Sequence, residues 1–529
     1  MKFEGAFLKV ALITGQLAKD MVERFSRDSK VESEVISLPI QVASLMNAAY
    51  IAGRLRGYPL EGFDLILVPG LIKGDIRVIE DSVGIPVFRG PKHAADIPPV
   101  LDNIGRIELS KEVPACELLS LELRMRASKI FEEASHRRDL IDRPGNFEVR
   151  GLALGVDYPM RIAAEIVDAP LLSDEEIAAK ARYYMESGAD IIDVGMIAGG
   201  GRAEDAYRAV EAVKAVVEAP ISIDTFDPEE VKAAVEAGVD MVLSASKSNL
   251  RRLSSILDEQ ALVVVPGEAY VEWPPDERVK RLEKLLAEAE ELGVKKVLAD
   301  PVLDPTMSPG LTRSLVAYHL FRERNPTTPL FMGIGNVTEM LDADSVGVNA
   351  LLACMASEMN VSVALTTEVS DKARGSVREL SKASRMAFTA KVRRSPPKDL
   401  GLNLLILKED RFRDHPYPRN LEEQVKVVWA PQPKPPRMDP VGCFRILLDR
   451  DEGSISAIHY HGGLDKPRLM VKGKRAEDIY AKLVDLNLIS SLRHASYIGY
   501  ELAKAEMALR LNRSYVQDED LFAGSYEHS

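Results

Sequence analysis

Between residues 155 and 395 a short apolar run is followed by a helical stretch, eight times in succession. The runs occupy 161–167, 190–195, 220–225, 240–245, 261–266, 295–300, 329–334 and 361–367. The stretches between them carry helix-start signals. Ser173 and Glu176 have the spacing of a capping box, and Asp227 is followed by Pro228 and Glu230, an N-cap with proline at the first helical position. Gly188, Gly238 and Gly293 stand where helices close before the next run. Strand–helix–strand units of this length are right-handed crossovers that make neighbouring strands parallel. Eight of them in about 240 residues is the arithmetic of a closed (β/α)8 TIM barrel. That fold places chemistry at the carboxyl ends of its strands, so those ends are read first.

Ala189–Gly195 and Ile221–Phe226 each put a carboxylate, Asp193 and Asp224, into an otherwise apolar run. A parallel strand is buried on both faces, and a carboxylate there is costly unless it is paired or opens into a pocket. The first run adds Glu165 and Asp168. The second is followed by Gly199–Gly201 and Arg202. The third adds Thr225, and the fourth Ser244, Ser246, Lys247 and Asn249. The fifth offers Glu268, the sixth Asp300, Pro301 and Asp304, the seventh Gly333 and Asn336, and the eighth Thr366, Thr367 and Glu368. Carboxylates accept paired N–H donors, so this rim suits a flat heterocycle bearing amino and ring N–H groups. It has neither the ligands of a zinc site nor a Ser-His or Cys-His nucleophile pair, and no metal is expected.

The flanks differ in kind. Residues 1–105 alternate strands (Leu8–Thr14, Val31–Leu38, Phe63–Pro69, Ile85–Phe88) with helices, the pattern of a small open α/β sheet of flavodoxin or Rossmann type. Two of its loops, Thr14–Gln16 and Pro69–Gly74, have the residues of an anion loop or, more simply, of tight turns after buried strands. Residues 106–154 form a helical connector centred on Glu117–Ser135. Residues 396–439 read as a linker, with a strand at Leu402–Leu407 and a stiff proline-rich stretch at 429–436. Residues 440–522 read as an α+β domain: an antiparallel meander followed by helices over Ala476–Leu486 and Leu492–Leu511. In it His459 and His461 share a strand face, where they could ligate a metal or a corrinoid cobalt or simply face solvent; His494 starts a helix. A formal net charge of −13 excludes a general nucleic-acid binder. Three separated cysteines, no apolar run of the ~18 residues that span a bilayer and no signal-peptide start lead to the expectation of a cytoplasmic protein.

The series Gly188–Gly195, Ser222–Thr225, Asp300-Pro301 and Gly333–Asn336 resembles, in order and spacing, the motifs of the pterin-binding barrel superfamily. Its members include dihydropteroate synthases and the methyltetrahydropterin methyltransferases that donate to corrinoids; the whole chain resembles an archaeal dihydropteroate synthase-related protein. The resemblance implies that Asp300 binds the 2-amino and N3–H edge of a pterin and that Asp224 and Asp193 help hold the ring. Glu165, Asp168, Ser244, Ser246, Glu268 and Gly333 are the further substrate-binding candidates. Dihydropteroate synthases carry a lysine at strand seven and an Arg-x-His on strand eight. Here those places hold Val337 and Thr366–Glu368, so the cations that receive a diphosphate leaving group are missing, although Arg202 and Lys247 stand on nearby loops. Gly333–Val337 is instead similar to the methyltransferases, which makes Asn336, beside N5, the first catalytic candidate and Asp224 the second.

By that resemblance the substrate is a reduced pterin of tetrahydromethanopterin or tetrahydrofolate type. A corrinoid protein and a second copy of the chain are the partners it allows, with no nucleic acid and no membrane. Segments Phe444–Arg450, His494–Gly499 and Glu501–Lys504 also resemble archaeal proteins related to one of the chains of tetrahydromethanopterin methyltransferase. Three readings stay open: methyl transfer from a reduced pterin, condensation of a pterin methyl diphosphate with an arylamine, and a non-catalytic pterin-binding scaffold.

Overall fold

The computed structural model describes residues 8–105, 107–398, 400–408, 422–430, 438–461 and 466–522. The chain divides into two compact units, Met1–Lys408 and Glu409–Ser529.

The first unit opens with a parallel sheet of β1 (Lys9–Gly15), β2 (Glu32–Leu38), β3 (Leu65–Val68) and β4 (Val87–Arg89), ordered β2-β1-β3-β4. Its two candidate anion loops are closed by their neighbours. A Cβ on Gly15 would lie 2.8 Å from the Ile40 carbonyl, and one on Gly70 would lie 2.7 Å from that of Gly90. Glycine is needed there because backbone passes over backbone, as in tight turns after buried strands. The connector helix Ser120–Ser135 lies on the last barrel helix, Ser376–Arg393, where the Phe131 and Phe388 rings meet edge to face. The sheet, the connector and the barrel therefore make one compact body.

A short antiparallel hairpin, β5 (Phe147–Val149) and β6 (Leu152–Leu154), precedes the barrel. The barrel strands are β7 (Arg161–Ile166), β8 (Ile191–Gly195), β9 (Ile221–Asp224), β10 (Met241–Ala245), β11 (Ala261–Val264), β12 (Val297–Ala299), β13 (Leu330–Gly333) and β14 (Val361–Thr366). They close in sequence order, β14 pairing back onto β7. The eight strands match the expected runs, and the helix signals act as read. Ser173 completes a capping box with Glu176, the Asp227 carboxylate accepts from the Glu229 N–H, and Gly188 and Gly238 close helices in the left-handed conformation.

Alternation along the strands sorts the core into two shells. Ile162, Ala164, Ile192, Ile221, Ile223 and Val242 pack outward against the helices. Ala163, Ile191, Met241, Leu243, Val263, Leu298, Phe331 and Val363 fill the inside, and Val149 and Leu154 of the hairpin plug the bottom. Arg161 fixes that plug: its buried guanidinium donates to the Ala153 carbonyl and to Ser135. Above Arg161 the barrel floor is thus hydrocarbon, and the inward positions turn polar again in its upper layer.

Residues 402–407, expected as a strand, form none. Leu400, Leu402 and Leu404 pack instead beside Met386 and Ala390 of the last barrel helix, and Leu405, Ile406 and Leu407 are exposed. The closed barrel offers no free edge to pair with. The proline-rich stretch from 431 to 436 lies outside the described residues.

The second unit holds the antiparallel sheet β15 (Cys443–Asp449), β16 (Ser454–Tyr460) and β17 (Pro467–Gly473), with helices Ala476–Asp485 and Leu492–Arg510 on one face. Asp439 anchors its start, accepting from the Val441, Ser490 and Ser491 N–H groups and from His494 Nδ1 at 3.0 Å. The Val441 carbonyl in turn accepts from His459 Nε2 at 3.2 Å and His461 Nδ1 at 2.9 Å. The imidazoles singled out in the sequence thus fasten a turn.

Leu154 is fully buried in the plug. Leu154→Ala is expected to cost the first unit about 2–5 kcal/mol, as core truncations do, read as a lower urea midpoint of its unfolding transition.

Candidate functional site

Above the hydrocarbon floor the inward positions turn acidic. Glu165 on β7 lies opposite Asp193 on β8 in the strand register, Asp193 lies opposite Ser222, and Gly195 lies opposite Asp224. One oxygen from each of Glu165, Asp193 and Asp224 falls within 4.8 Å of the others. Asp193 is fully buried and accepts from Ser222 Oγ through Oδ1, while its Oδ2 has no partner. Among the described residues no protein donor bonds Glu165 or Asp224, and no lysine, arginine or histidine pairs with any of the three. A group this buried and this unsatisfied is held for something the protein does not itself supply.

The placement of Glu165 is built into the neighbouring strand. A Cβ on Gly195 would lie 2.4 Å from Glu165 Oε1, so glycine is what lets the carboxyl lean inward. Gly333 plays the matching part on β13, since a Cβ there would lie 3.2 Å from Asn336 Nδ2. The Asn336 amide thereby sits against the strand end. Its Nδ2 donates to the Leu303 carbonyl at 3.0 Å, which leaves Oδ1 as the free acceptor of an exposed side chain.

Asp300, just past β12, is held from one side only. Oδ1 accepts from the Val302 N–H at 2.7 Å and from the Tyr318 hydroxyl, and among the described residues Oδ2 has no protein donor. The loop beyond Asp300 is clamped from below. Arg278 and Asp304, exposed by 1% and 0% at their side chains, form an ion pair at 3.0 Å, and Arg278 Nη1 also donates to the Pro301 and Val302 carbonyls. Arg278 lies over the Tyr270 ring as well.

These surroundings move the acids in one direction. Burial, with the charges of Asp224 and Asp168, pushes Glu165 up to about 8. Burial, then Asp300, pushes Asp224 up to about 6. Burial, then Asp224 and Glu165, holds Asp193 well above the usual carboxylate range. Asp300 also rises to about 6 through burial, although Tyr318, Val302 and Arg278 pull it down. The charge of Asp300 is among the causes that raise Asp224.

The other expected site residues lie further out. Asp168 is exposed, in the left-handed conformation at φ 51°. Glu268 is exposed and accepts from Ser248 Oγ. Ser244 is buried, and its carbonyl accepts from Asn249. Ser246 is 1% exposed, its N–H bonds Asn249 Oδ1, and its hydroxyl bonds Ser248. It closes its own loop, because the side chain of Asn249, further along that loop, reaches back across it. At the places where diphosphate chemistry would need cations, Val337 is buried, Thr366 is buried on the helix-facing parity of β14, and Thr367 bonds Glu339. Glu368 accepts from the Tyr183 hydroxyl and the Val377 N–H. Arg202 pairs with Asp205 at 3.3 Å, and Lys247 is exposed without an ion pair among the described residues.

Residues 167–342 match the family model described as pterin binding enzyme. The barrel belongs to the pterin-binding enzyme family. Outside this pterin-binding barrel, residues 8–92 match a family of unknown function (DUF6513) and residues 438–518 match the PterinBD-DUF4346 model. Over 535 aligned residues the chain is 36% identical to Uncharacterized protein MJ0107 of Methanocaldococcus jannaschii, covering 97% of this chain and 99% of that one, so the two share one family over their whole length. A Ycf91-like protein of Nostoc sp. is 28% identical over 106 residues, 15% of this chain and 84% of its own. Among solved structures, dihydropteroate synthase of Yersinia pestis is 15% identical with a TM-score of 0.37, covering 47% of this chain and 99% of that one. Dihydropteroate synthase from Thermus thermophilus, in complex with 6HMPPP, is 22% identical with a TM-score of 0.37, covering 45% of this chain and 97% of that one. Among the described residues no helix is long and apolar enough to cross a membrane.

Two site residues escaped the sequence reading, Arg278 and Tyr318, and Ser222 enters it only as part of a motif. Arg278 and Tyr318 sit in helices whose local pattern is ordinary, and each acts across more than ten residues of chain.

The raised acids set a pH dependence of stability. Folded Glu165 keeps its proton to about pH 8, whereas the unfolded chain loses it near 4.5. Unfolding between those values releases a proton, so this group's contribution to stability is present below pH 4.5 and lost as pH rises toward 8. Glu165→Gln is expected to melt with wild type at pH 4.5 and several degrees above it at pH 8.5. A pH-independent difference in scanning calorimetry would contradict the burial.

Proposed function

We propose that this pterin-binding enzyme carries out methyl (one-carbon) transfer from a reduced pterin. One observation carries the reading: the Asn336 amide is anchored through Nδ2 and the Asp300 carboxylate through Oδ1 at neighbouring strand ends, where 337 and 366–368 hold no cation for a diphosphate. Asp300 Oδ2, with Oδ1 tied down, suits the 2-amino and N3–H edge, and Asp224 extends the acidic edge around the ring. A methyl group on N5 leaves when the C–N5 bond breaks with its electron pair returning to nitrogen and a proton arrives there. Asn336 Oδ1, a free acceptor, stabilises the resulting N5–H. Asp193 and Glu165 lie under the ring, where their protonated forms donate to its acceptors.

The methyl acceptor must be a strong nucleophile. A reduced corrinoid on a partner protein has that chemistry, and a pterin of tetrahydromethanopterin or tetrahydrofolate type is the donor class. Condensation of a pterin methyl diphosphate with an arylamine is the second reading, favoured only by the exposed Lys247 on the fourth strand's loop.

Calorimetry with a methylated reduced pterin, its demethylated form and a pterin methyl diphosphate distinguishes these. The methylated form is expected to bind tightly. Asp300→Ala should weaken it about 100-fold, the value of two charge-assisted hydrogen bonds, and Asn336→Ala about tenfold. Diphosphate release in the presence of an arylamine would overturn methyl transfer in favour of condensation.

A further inference from the structure

We propose that Arg278 is a positioning residue that sets Asp300 and Asn336 together, through the four-residue segment Pro301–Asp304. Both candidate groups hang on this segment. The Val302 N–H fixes Asp300 Oδ1 at 2.7 Å, and the Leu303 carbonyl fixes Asn336 Nδ2 at 3.0 Å. Val302 itself stands in the left-handed conformation at φ 69°, which a β-branched residue adopts only when its surroundings hold it there. Arg278 supplies the hold. From the helix Pro275–Glu291 it donates to the Pro301 and Val302 carbonyls at 3.4 and 3.1 Å and to Asp304 Oδ2 through both terminal nitrogens at 3.0 Å. The Asp304 N–H is pinned in turn by Ser314 Oγ at 3.1 Å.

The ion pair is poorly suited to a purely stabilising role. Arg278 and Asp304 are buried, yet among the described residues Arg278 Nε and Asp304 Oδ1 have no hydrogen-bond partners. A buried pair with unmet hydrogen bonds gives little or no net stability over an apolar pair of like volume. What it does give is direction: a planar fork fixes two carbonyls and a carboxylate at once, which an apolar contact cannot do. Turning the Leu303 carbonyl away would free Asn336 Nδ2 and let the amide rotate, presenting a donor where the slot needs an acceptor.

The inference rests on the proposed pterin reading for its purpose, but its geometry is testable without a ligand. Asparagine is labelled with 15N in the full chain, and the Asn336 side-chain amide is assigned by its loss in Asn336→Ala. Its hydrogen exchange is then followed in wild type, in Arg278→Gln and in the double variant Arg278→Met/Asp304→Leu. The double variant leaves no uncompensated charge and serves should the single one fail to fold. Exchange is expected to quicken about tenfold or more in the variants, with the melting temperature of the double variant near that of wild type. Unchanged exchange would overturn the clamp.

Pterin affinity gives the second readout. Arg278→Gln should weaken binding about tenfold, and adding Asn336→Ala should then cost less than about threefold, because coupled groups are not additive. Full additivity would overturn the proposal, whereas a purely structural role would lower the melting temperature and leave the additivity intact. If wild type binds no reduced pterin at all, the functional reading falls while the exchange measurement still judges the clamp.

Discussion

Four carboxyl groups stand on a floor of hydrocarbon, and the rest of the site follows from that. Leu243, Val263, Leu298, Phe331 and Val363 fill the barrel interior below them, so Glu165, Asp193, Asp224 and Asp300 are largely withdrawn from water, and among the described residues none of them forms an ion pair with a lysine or arginine. Each is therefore held toward its neutral form. A mixed layer of protonated and ionised carboxyls presents donors and acceptors side by side, which is the complement of a heterocycle whose edge alternates amino, ring N–H and carbonyl groups. A uniformly ionised layer would have only acceptors to offer.

The precision of that layer comes from residues with no side chain and from one that never faces the slot. Gly195 and Gly333 are the two inward strand positions where a methyl group would strike a site residue. They let Glu165 lean over the end of the neighbouring strand and Asn336 fold back over the end of its own. Arg278 acts from outside the barrel wall on a loop that both Asp300 and Asn336 touch. Strands make the layer, glycines give it depth, and a helix-borne guanidinium trims its orientation.

What was legible in the sequence follows the range of the forces. Strand and helix positions were readable because each is decided within a dozen residues: Ser173 with Glu176, Asp227 with Pro228, glycine after the last helical turn. The acids were readable because the fold itself puts strand ends at a common rim. Contacts that cross the chain were not. Nothing beside Arg278 announces Asp304, 26 residues on, and nothing beside Tyr318 announces Asp300, 18 residues back. The supposed strand at 402–407 was apolar enough to be one, but strand formation needs an open edge, and a closed barrel has none.

Charge decides between the chemistries that one pocket of this shape can host. Two like unit charges about 6 Å apart, at an effective dielectric near 20, repel by about 3 kcal/mol. A departing diphosphate carries several negative charges past this rim. Val337 and Thr366–Glu368 offer it no cation in return, and Glu368 is itself an acid. A methyl group leaving a protonated amine carries no anion away from the ring. Its demand is for a proton and for an acceptor to hold it, and protonated acids beneath a fixed amide oxygen are the arrangement that meets both. Under the proposed methyl transfer, the acidity that obstructs one reaction would be the working condition of the other.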